Sequence, residues 1–315
     1  MDSFIGHTDT LLNFYRSENY DFQRQNDDFQ VDLPRLRAGR VKIQVFAVYV
    51  EPEYKAQIAM GRTLQIIDQF YQLVEQVKEL ELIRNYSDVE KILKGDKIGA
   101  LLAIEGADSV FDLSALRTLY RLGVRLLSLT WNQRNQLADG IEKLEADGGV
   151  TRLGREVIAE MNRLGMIIDV SHLSPRSFWD VIKFSKKPVI ASHSNASGIC
   201  PHPRNLSDDQ LQAIAAKGGH IGLNFAPEFL TKNKRAKIDD VIRHIDYIRE
   251  LVGIESISLG TDYDGISTTP EGLEDISKLP QLARALLDRG YSKEDIAKIF
   301  KNNWVNFLKQ SWSES

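Results

Sequence analysis

The sequence predicts an α/β protein, an eight-stranded (β/α)8 barrel of the TIM-like type. Three observations predict the barrel. Short apolar runs rich in β-branched residues recur eight times along the 315 residues. Most are followed by a polar cluster and then by a segment with helical spacing of apolar positions. No Gly/Ser/Pro-rich linker or low-complexity tract interrupts the series, so residues 1–315 read as a single barrel domain. One barrel of this length is ordinary.

The runs cover residues 4–5, 41–50, 98–104, 124–129, 166–170, 188–191, 220–225 and 257–259. Nearly continuous apolar strands alternating with amphipathic helices mean a parallel sheet buried on both faces. The first run is very short, and the seventh opens with His220. Between the runs, residues 61–83 carry Leu64, Ile67, Phe70, Leu73, Val77 and Leu80 at helical spacing. The stretch 151–164 does the same with Val157, Ile158, Met161 and Leu164. Residues 207–217 open with Ser207-Asp-Asp-Gln210, a capping-box pattern. Stretches 237–252 and 292–308 close the chain in the same style.

Composition narrows the class. The apolar fraction of 43% supports a large core. Charged residues make up 27%, mixed in sign, and the net charge is −4. No basic stripe stands out, so nucleic acid is not an expected partner. Cys200 is the one cysteine, which rules out an internal disulfide and fits a reducing compartment. It lies between Ile199 and Pro201 without an activating partner. The N-terminus has no basic n-region or apolar h-region. No window approaches the ~20 apolar residues of a membrane span, and the C-terminus carries no lipid-anchor pattern. The expectation is a cytoplasmic protein without membrane contact, whose Asn-x-Ser/Thr triplets at Asn85, Asn195 and Asn205 need no glycan.

Catalytic residues of such barrels project from the C-terminal strand ends, and here those ends carry ligand-type side chains. They are His7-Thr-Asp9, Glu105, Asp169-Val-Ser-His172, His193-Ser-Asn195 and Asp262-Tyr-Asp264. Three of the six histidines sit there. His7 and Asp9 share one strand face, because the side-chain period is two; alone, that motif is weak. Glu105 follows Leu101-Leu-Ala-Ile104, and a carboxylate there is costly unless paired or metal-bound. Its two oxygens can bridge two metals. His172 and His193 end neighbouring runs. Imidazole and carboxylate ligands without thiolates suit zinc, manganese or cobalt. Asp262 reads as a sixth ligand or an acid/base, and Asp264 as part of a turn. Arg204 has the planar fork that suits a substrate carboxylate. His202, His220 and His244 read as structural or surface residues.

The motifs Gly6-His-Thr-Asp9, Ile104-Glu-Gly106, Asp169-Val-Ser-His-Leu173, Ala191-Ser-His-Ser-Asn195, His202-Pro-Arg-Asn205 and Gly260-Thr-Asp-Tyr-Asp-Gly265 stand in this order. Together they resemble the membrane (renal) dipeptidase family of zinc peptidases, peptidase family M19, and its bacterial cytoplasmic members in particular. The resemblance runs over nearly the whole length. It implies a barrel of the metal-dependent amidohydrolase type and two divalent ions, zinc in the family. His7, Asp9 and Glu105 would hold one ion, and Glu105, His172 and His193 the other, with Glu105 bridging. It also implies a hydroxide bridging the ions, Asp262 as the acid/base beside it, and a dipeptide substrate. Arg204 would grip the substrate's C-terminal carboxylate, with Trp131 and Asn205 also at the substrate. Family members are often homodimers. Two positions depart from the better-known animal members: Trp131 replaces a histidine, and Ala226 an aromatic residue. The stretch 135–140 follows as in bacterial relatives. Within the same class, N-acyl amino acids, lactones or cyclic amides are alternative substrates; a catalytically silent binding relative is the reading from another class.

Overall fold

All eight apolar runs become strands in a computed structural model that describes residues 1–17, 20–142, 147–233 and 235–312. Residues 313–315, part of the tail read above for a lipid anchor, lie outside the described residues. The strands are β1 (Ser3–Thr8), β2 (Val41–Tyr49), β3 (Leu80–Ile83), β4 (Ile98–Glu105), β5 (Val124–Ser128), β6 (Ile167–Asp169), β7 (Val189–Ile190), β8 (Ile221–Asn224) and β9 (Ile257–Tyr263). Eight of them run in the order β7-β6-β5-β4-β2-β1-β9-β8, and every pairing is parallel. A bridge between Ala191 and Ile221 nearly closes the circle. There the Gly222 N–H donates to the Ala191 carbonyl at 2.7 Å. Helices lie between the strands, giving a TIM-like (β/α)8 barrel.

The ninth strand, β3, corrects the sequence reading. The helix expected over 61–83 begins at Ala56 and ends at Gln76. Val77 is already extended, with φ −98° and ψ 96°. Residues Leu80–Ile83 then pair with Ile98–Leu101 at the start of β4, below the stretch of β4 that pairs with β5. Val77 and Leu80 fit a helical stripe, but the free lower edge of β4 offers ladder bonds and burial for Leu80 and Ile83. Tertiary pairing overrides local periodicity here.

The helices begin where the chemistry of their first turns allows. Ser207 and Gln210 form the expected capping box on Asp208–Ala216. Thr151 caps Arg152–Leu164, which stops at Gly165 with a left-handed φ of 72°. The last segment is Lys293–Ala297, a π-turn, and then Asn303–Trp312. Asn303 Nδ2 donates to the carbonyls of Ile254 and Ile257, and Trp312 Nε1 to that of Gly165. These partners lie at or just before the starts of β9 and β6, so the C-terminal helix covers the N-terminal rim of the barrel. Trp304 stacks on Phe4 with centroids 4.6 Å apart and anchors that cover. The opposite rim, at the C-terminal strand ends, is left for a site.

Candidate metal centre

The C-terminal rim gathers His7 and Asp9 from the end of β1, Glu105 from β4 and Asp262 from β9. His172 comes from just beyond β6 and His193 from just beyond β7. All but Asp262 are buried, and Asp262 is nearly so. Glu105 Oε1 lies 2.8 Å from His172 Nε2, 3.3 Å from His193 Nε2 and 3.6 Å from His7 Nε2. His7 Nε2 also lies 3.5 Å from Asp9 Oδ2 and 3.8 Å from Asp262 Oδ1. His7, Glu105 and His193 form one group with ligand atoms within 4.8 Å of one another, and His7, Asp9 and Asp262 form a second.

Backbone shape makes this convergence possible. His172, Thr261, Asp262 and Asp264 hold φ between 65° and 69°. Side-chain-bearing residues rarely enter this left-handed region, and such strain concentrates at functional sites. Gly222 and Gly260 let the segment carrying His193 press inward. A Cβ on either would stand 2.0 or 2.2 Å from the Ser192 carbonyl oxygen.

Charge is crowded. Burial pushes the His7 imidazole down, but Glu105, Asp9 and Asp262 outweigh it and raise it to about 10. Burial drives the Glu105 carboxyl well above the usual range and the Asp262 carboxyl up to about 7, with Asp9 adding to both. His172 and His193 are held well below their ordinary value, by burial first and nearby cationic groups second.

These residues fit divalent cations. Both ring nitrogens of His7 and Asp9 Oδ1 are buried without a hydrogen bond, although such groups normally find partners. Asn132 Oδ1, an acceptor, lies 2.7 Å from His172 Nδ1, so the ring proton sits there and Nε2 is a bare lone pair. That lone pair faces Glu105 Oε1 at 2.8 Å and His193 Nε2 at 2.7 Å. A cation relieves such a cluster of acceptors, and the imidazole–carboxylate set without thiolate suits zinc, manganese or cobalt.

Arg204 reaches the same place: its Nη2 donates to His172 Nε2 at 3.0 Å and to the His193 carbonyl at 3.3 Å. Trp131 is half-buried, its ring edge-on to Tyr49 and tilted against His172. Asn205 Nδ2 donates to the carbonyls of Cys200 and Phe229. With His172, Arg204 and Ser194, Asn205 also lines a cavity of about 110 Å³. Asp264 sits in the turn beyond Asp262, buried, and accepts the Gln30 N–H. His220 lies at the far rim, bonded to Ser258 Oγ and pushed down to about 3 by burial. His244 ties Ala196 to Leu230, and the His202 ring lies tilted against Phe229.

Several residues at the site were passed over in the sequence. Tyr49 pairs in register with Glu105. Asn132 holds His172, and Asn224 Nδ2 donates to Asp262 Oδ2 at 2.8 Å. Ser192 lies against His193 Nδ1. For Tyr49 and Asn224 a signal existed, a polar side chain closing an apolar run. Asn132 and Ser192 gave none.

Comparison with known proteins agrees with this architecture. The family described as membrane dipeptidase (peptidase family M19) matches residues 1–314. Dipeptidase aclJ of Aspergillus oryzae is 36% identical over 96% of this chain and 76% of its own length. Dipeptidase tcpJ of Claviceps purpurea is 33% identical over 92% of this chain and 73% of its own. A metallopeptidase of Rhodobacter sphaeroides, crystallised with a phosphinate mimic of the dipeptide L-Ala-D-Ala, superposes with a TM-score of 0.94. It is 28% identical, and the match covers 99% of each chain. With a barrel that carries this side-chain cluster at its C-terminal rim and a match from end to end, the chain belongs to the membrane dipeptidase family, peptidase family M19.

Proposed function

We propose that this protein is a dipeptidase that works with two divalent ions, zinc as the resemblance to its family implies. The observation that supports it most is the meeting of His172 Nε2, His193 Nε2 and Glu105 Oε1 within 2.7–3.3 Å, beside the His7 ring nitrogens and Asp9 Oδ1, which have no hydrogen bond among the described residues. His7, Asp9 and Glu105 would hold one ion; Glu105, His172 and His193 would hold the other. Two ions held there would supply Lewis acidity, activating a water and polarising the scissile carbonyl.

The chain's own residues do the rest. Asp262, steadied by Asn224 and facing His7 across 3.8 Å, takes a proton from the attacking water and returns it to the leaving amine. Arg204 grips the C-terminal carboxylate of the substrate, which limits the substrate to two residues. Trp131 and Asn205 flank that position. The ligand of the Rhodobacter sphaeroides relative places dipeptides ending in a D-residue among the substrates to try.

The test is elemental analysis of the purified protein, run beside hydrolysis of L-L and L-D dipeptides with and without chelator. About two zinc per chain and chelator-sensitive cleavage are expected. Two ions without dipeptide cleavage would shift the substrate to N-acyl amino acids, lactones or cyclic amides. No metal after zinc is supplied would leave a binding protein.

A further inference from the structure

Asp169, the last residue of β6, is buried beneath the metal centre and touches none of its reacting groups. Its Oδ1 accepts the backbone N–H groups of Ser171 and Ser192, each at 2.9 Å. Its Oδ2 is bonded to Ser192 Oγ. The same Oγ lies 2.7 Å from His193 Nδ1.

The direction of these bonds follows from the donor inventory. A carboxylate only accepts, so the single hydroxyl proton of Ser192 points at Asp169. Ser192 Oγ then has only lone pairs left for His193, and Nδ1 must carry the ring proton. His193 Nε2 is thereby bare, and it is the atom that faces Glu105 Oε1 at 3.3 Å. Ser171 Oγ accepts the His193 backbone N–H at 3.2 Å and leaves this polarity undisturbed.

We propose that Asp169 is a positioning residue that sets the tautomer of His193 through Ser192, so that a lone pair and not an N–H is presented to the metal. The proposal rests on reading this cluster as a metal centre.

Asp169→Asn inverts the chain of bonds. The amide oxygen keeps both backbone N–H groups, and its NH2 group takes the place of Oδ2. That group donates to Ser192 Oγ, the serine proton turns to His193 Nδ1, and the ring proton moves to Nε2. There it finds Glu105 Oε1 as an acceptor, which holds the wrong tautomer. Ser192→Ala removes the relay and enforces neither tautomer. The less drastic variant therefore rescues the more drastic one.

The experiment measures zinc affinity of the full chain by competition with a chromophoric chelator. In parallel, nitrogen NMR reads the His193 tautomer in the metal-free protein. Ligand-supporting residues are typically worth ~10–100-fold in metal affinity. S192A is expected to weaken zinc binding about 10-fold and D169N about 100-fold, with the D169N/S192A double variant back at the S192A level. His193 should carry its proton on Nδ1 in the wild type and on Nε2 in D169N. Wild-type affinity in D169N, a double variant weaker than D169N, or Nδ1–H retained in D169N would each overturn the proposal. If D169N does not fold, a pure Nδ1–H tautomer retained in S192A overturns it equally. A wild-type chain that binds no zinc overturns the metal reading alone, and the tautomer measurement still decides the role of Asp169.

Discussion

The Nε2 atoms of His172 and His193 lie 2.7 Å apart, and both face Glu105 Oε1. Two neutral imidazoles hold bare lone pairs at that distance only when positive charge lies among them, and the Arg204 guanidinium reaches one of the two, His172 Nε2, at 3.0 Å. Burial and nearby cationic groups keep both rings from supplying that charge by protonation. Beside them, both ring nitrogens of His7 and Asp9 Oδ1 are buried without a hydrogen bond among the described residues.

In the proposed mechanism Asp262 transfers the proton; Asn224 holds its Oδ2, and its Oδ1 lies 3.8 Å from His7 Nε2. Asp262→Asn keeps the shape and removes the base. Turnover of dipeptides should fall by roughly 10²–10⁴-fold while bound zinc is unchanged. Steady-state kinetics with metal analysis checks this, and wild-type turnover would remove Asp262 from the mechanism.

Arg204, whose guanidinium lies beside His172, is the proposed clamp for the substrate carboxylate. Arg204→Ala should raise KM for dipeptides by at least about tenfold, the loss of one charge-assisted contact. Arg204→Lys should recover only part, because an ammonium lacks the planar fork. An unchanged KM in the alanine variant would discard the clamp.

Gly265 leaves room for two carboxylates. A Cβ there would stand 2.1 Å from Asp9 Oδ2 and 2.8 Å from Asp262 Oδ1. Gly265→Ala should therefore displace the Asp9 ligand and weaken zinc binding about 10–100-fold. Overpacking of this kind costs ~1–3 kcal/mol of stability. Zinc titration and thermal unfolding read the two effects separately; intact zinc affinity would show that the carboxylates can yield.

Glu160 ties the helix Arg152–Leu164 to Leu113–Arg121, receiving Arg163 at 2.7 Å and Arg117 at 2.5 Å. The Arg163 hydrogen bond, with Arg117 beside it, lowers its carboxyl from 4.5 to about 2. A depressed folded-state value means the stabilisation is complete above the unfolded value and lost as pH falls toward about 2. Glu160→Gln should cost on the order of 1 kcal/mol near neutral pH. That difference should shrink as pH drops below 4.5. Urea unfolding across the acid range checks it, and a pH-independent difference would point to packing instead.

Much of the architecture could be read without coordinates. Apolar runs alternating with helical periodicity are local features, and each run became a strand of the barrel. The reading failed at residues 80–83, where the helical stripe continued but the open edge of β4 captured the chain as β3. Strand ends were blurred for a similar reason. β1 and β9 extend to Thr8 and Tyr263 because polar residues join the ladder when a neighbour pairs with them.

The sequence by itself determined the succession of strands and helices and placed His7, Asp9, Glu105, His172, His193 and Asp262 at the ends of apolar runs. Both follow from periodicities only a few residues long. Only the tertiary structure decided that these ends meet. That required closure between Ala191 and Ile221, the left-handed turns at His172 and Asp262, and the space left by Gly222, Gly260 and Gly265. It also chose the partners that orient each group: Asn132 for His172, Asn224 for Asp262, and Asp169 with Ser192 for His193. Most of those contacts join residues about 20–40 positions apart in the chain. No local pattern encodes such pairs, because the distance between them is fixed by barrel closure and not by spacing along the backbone.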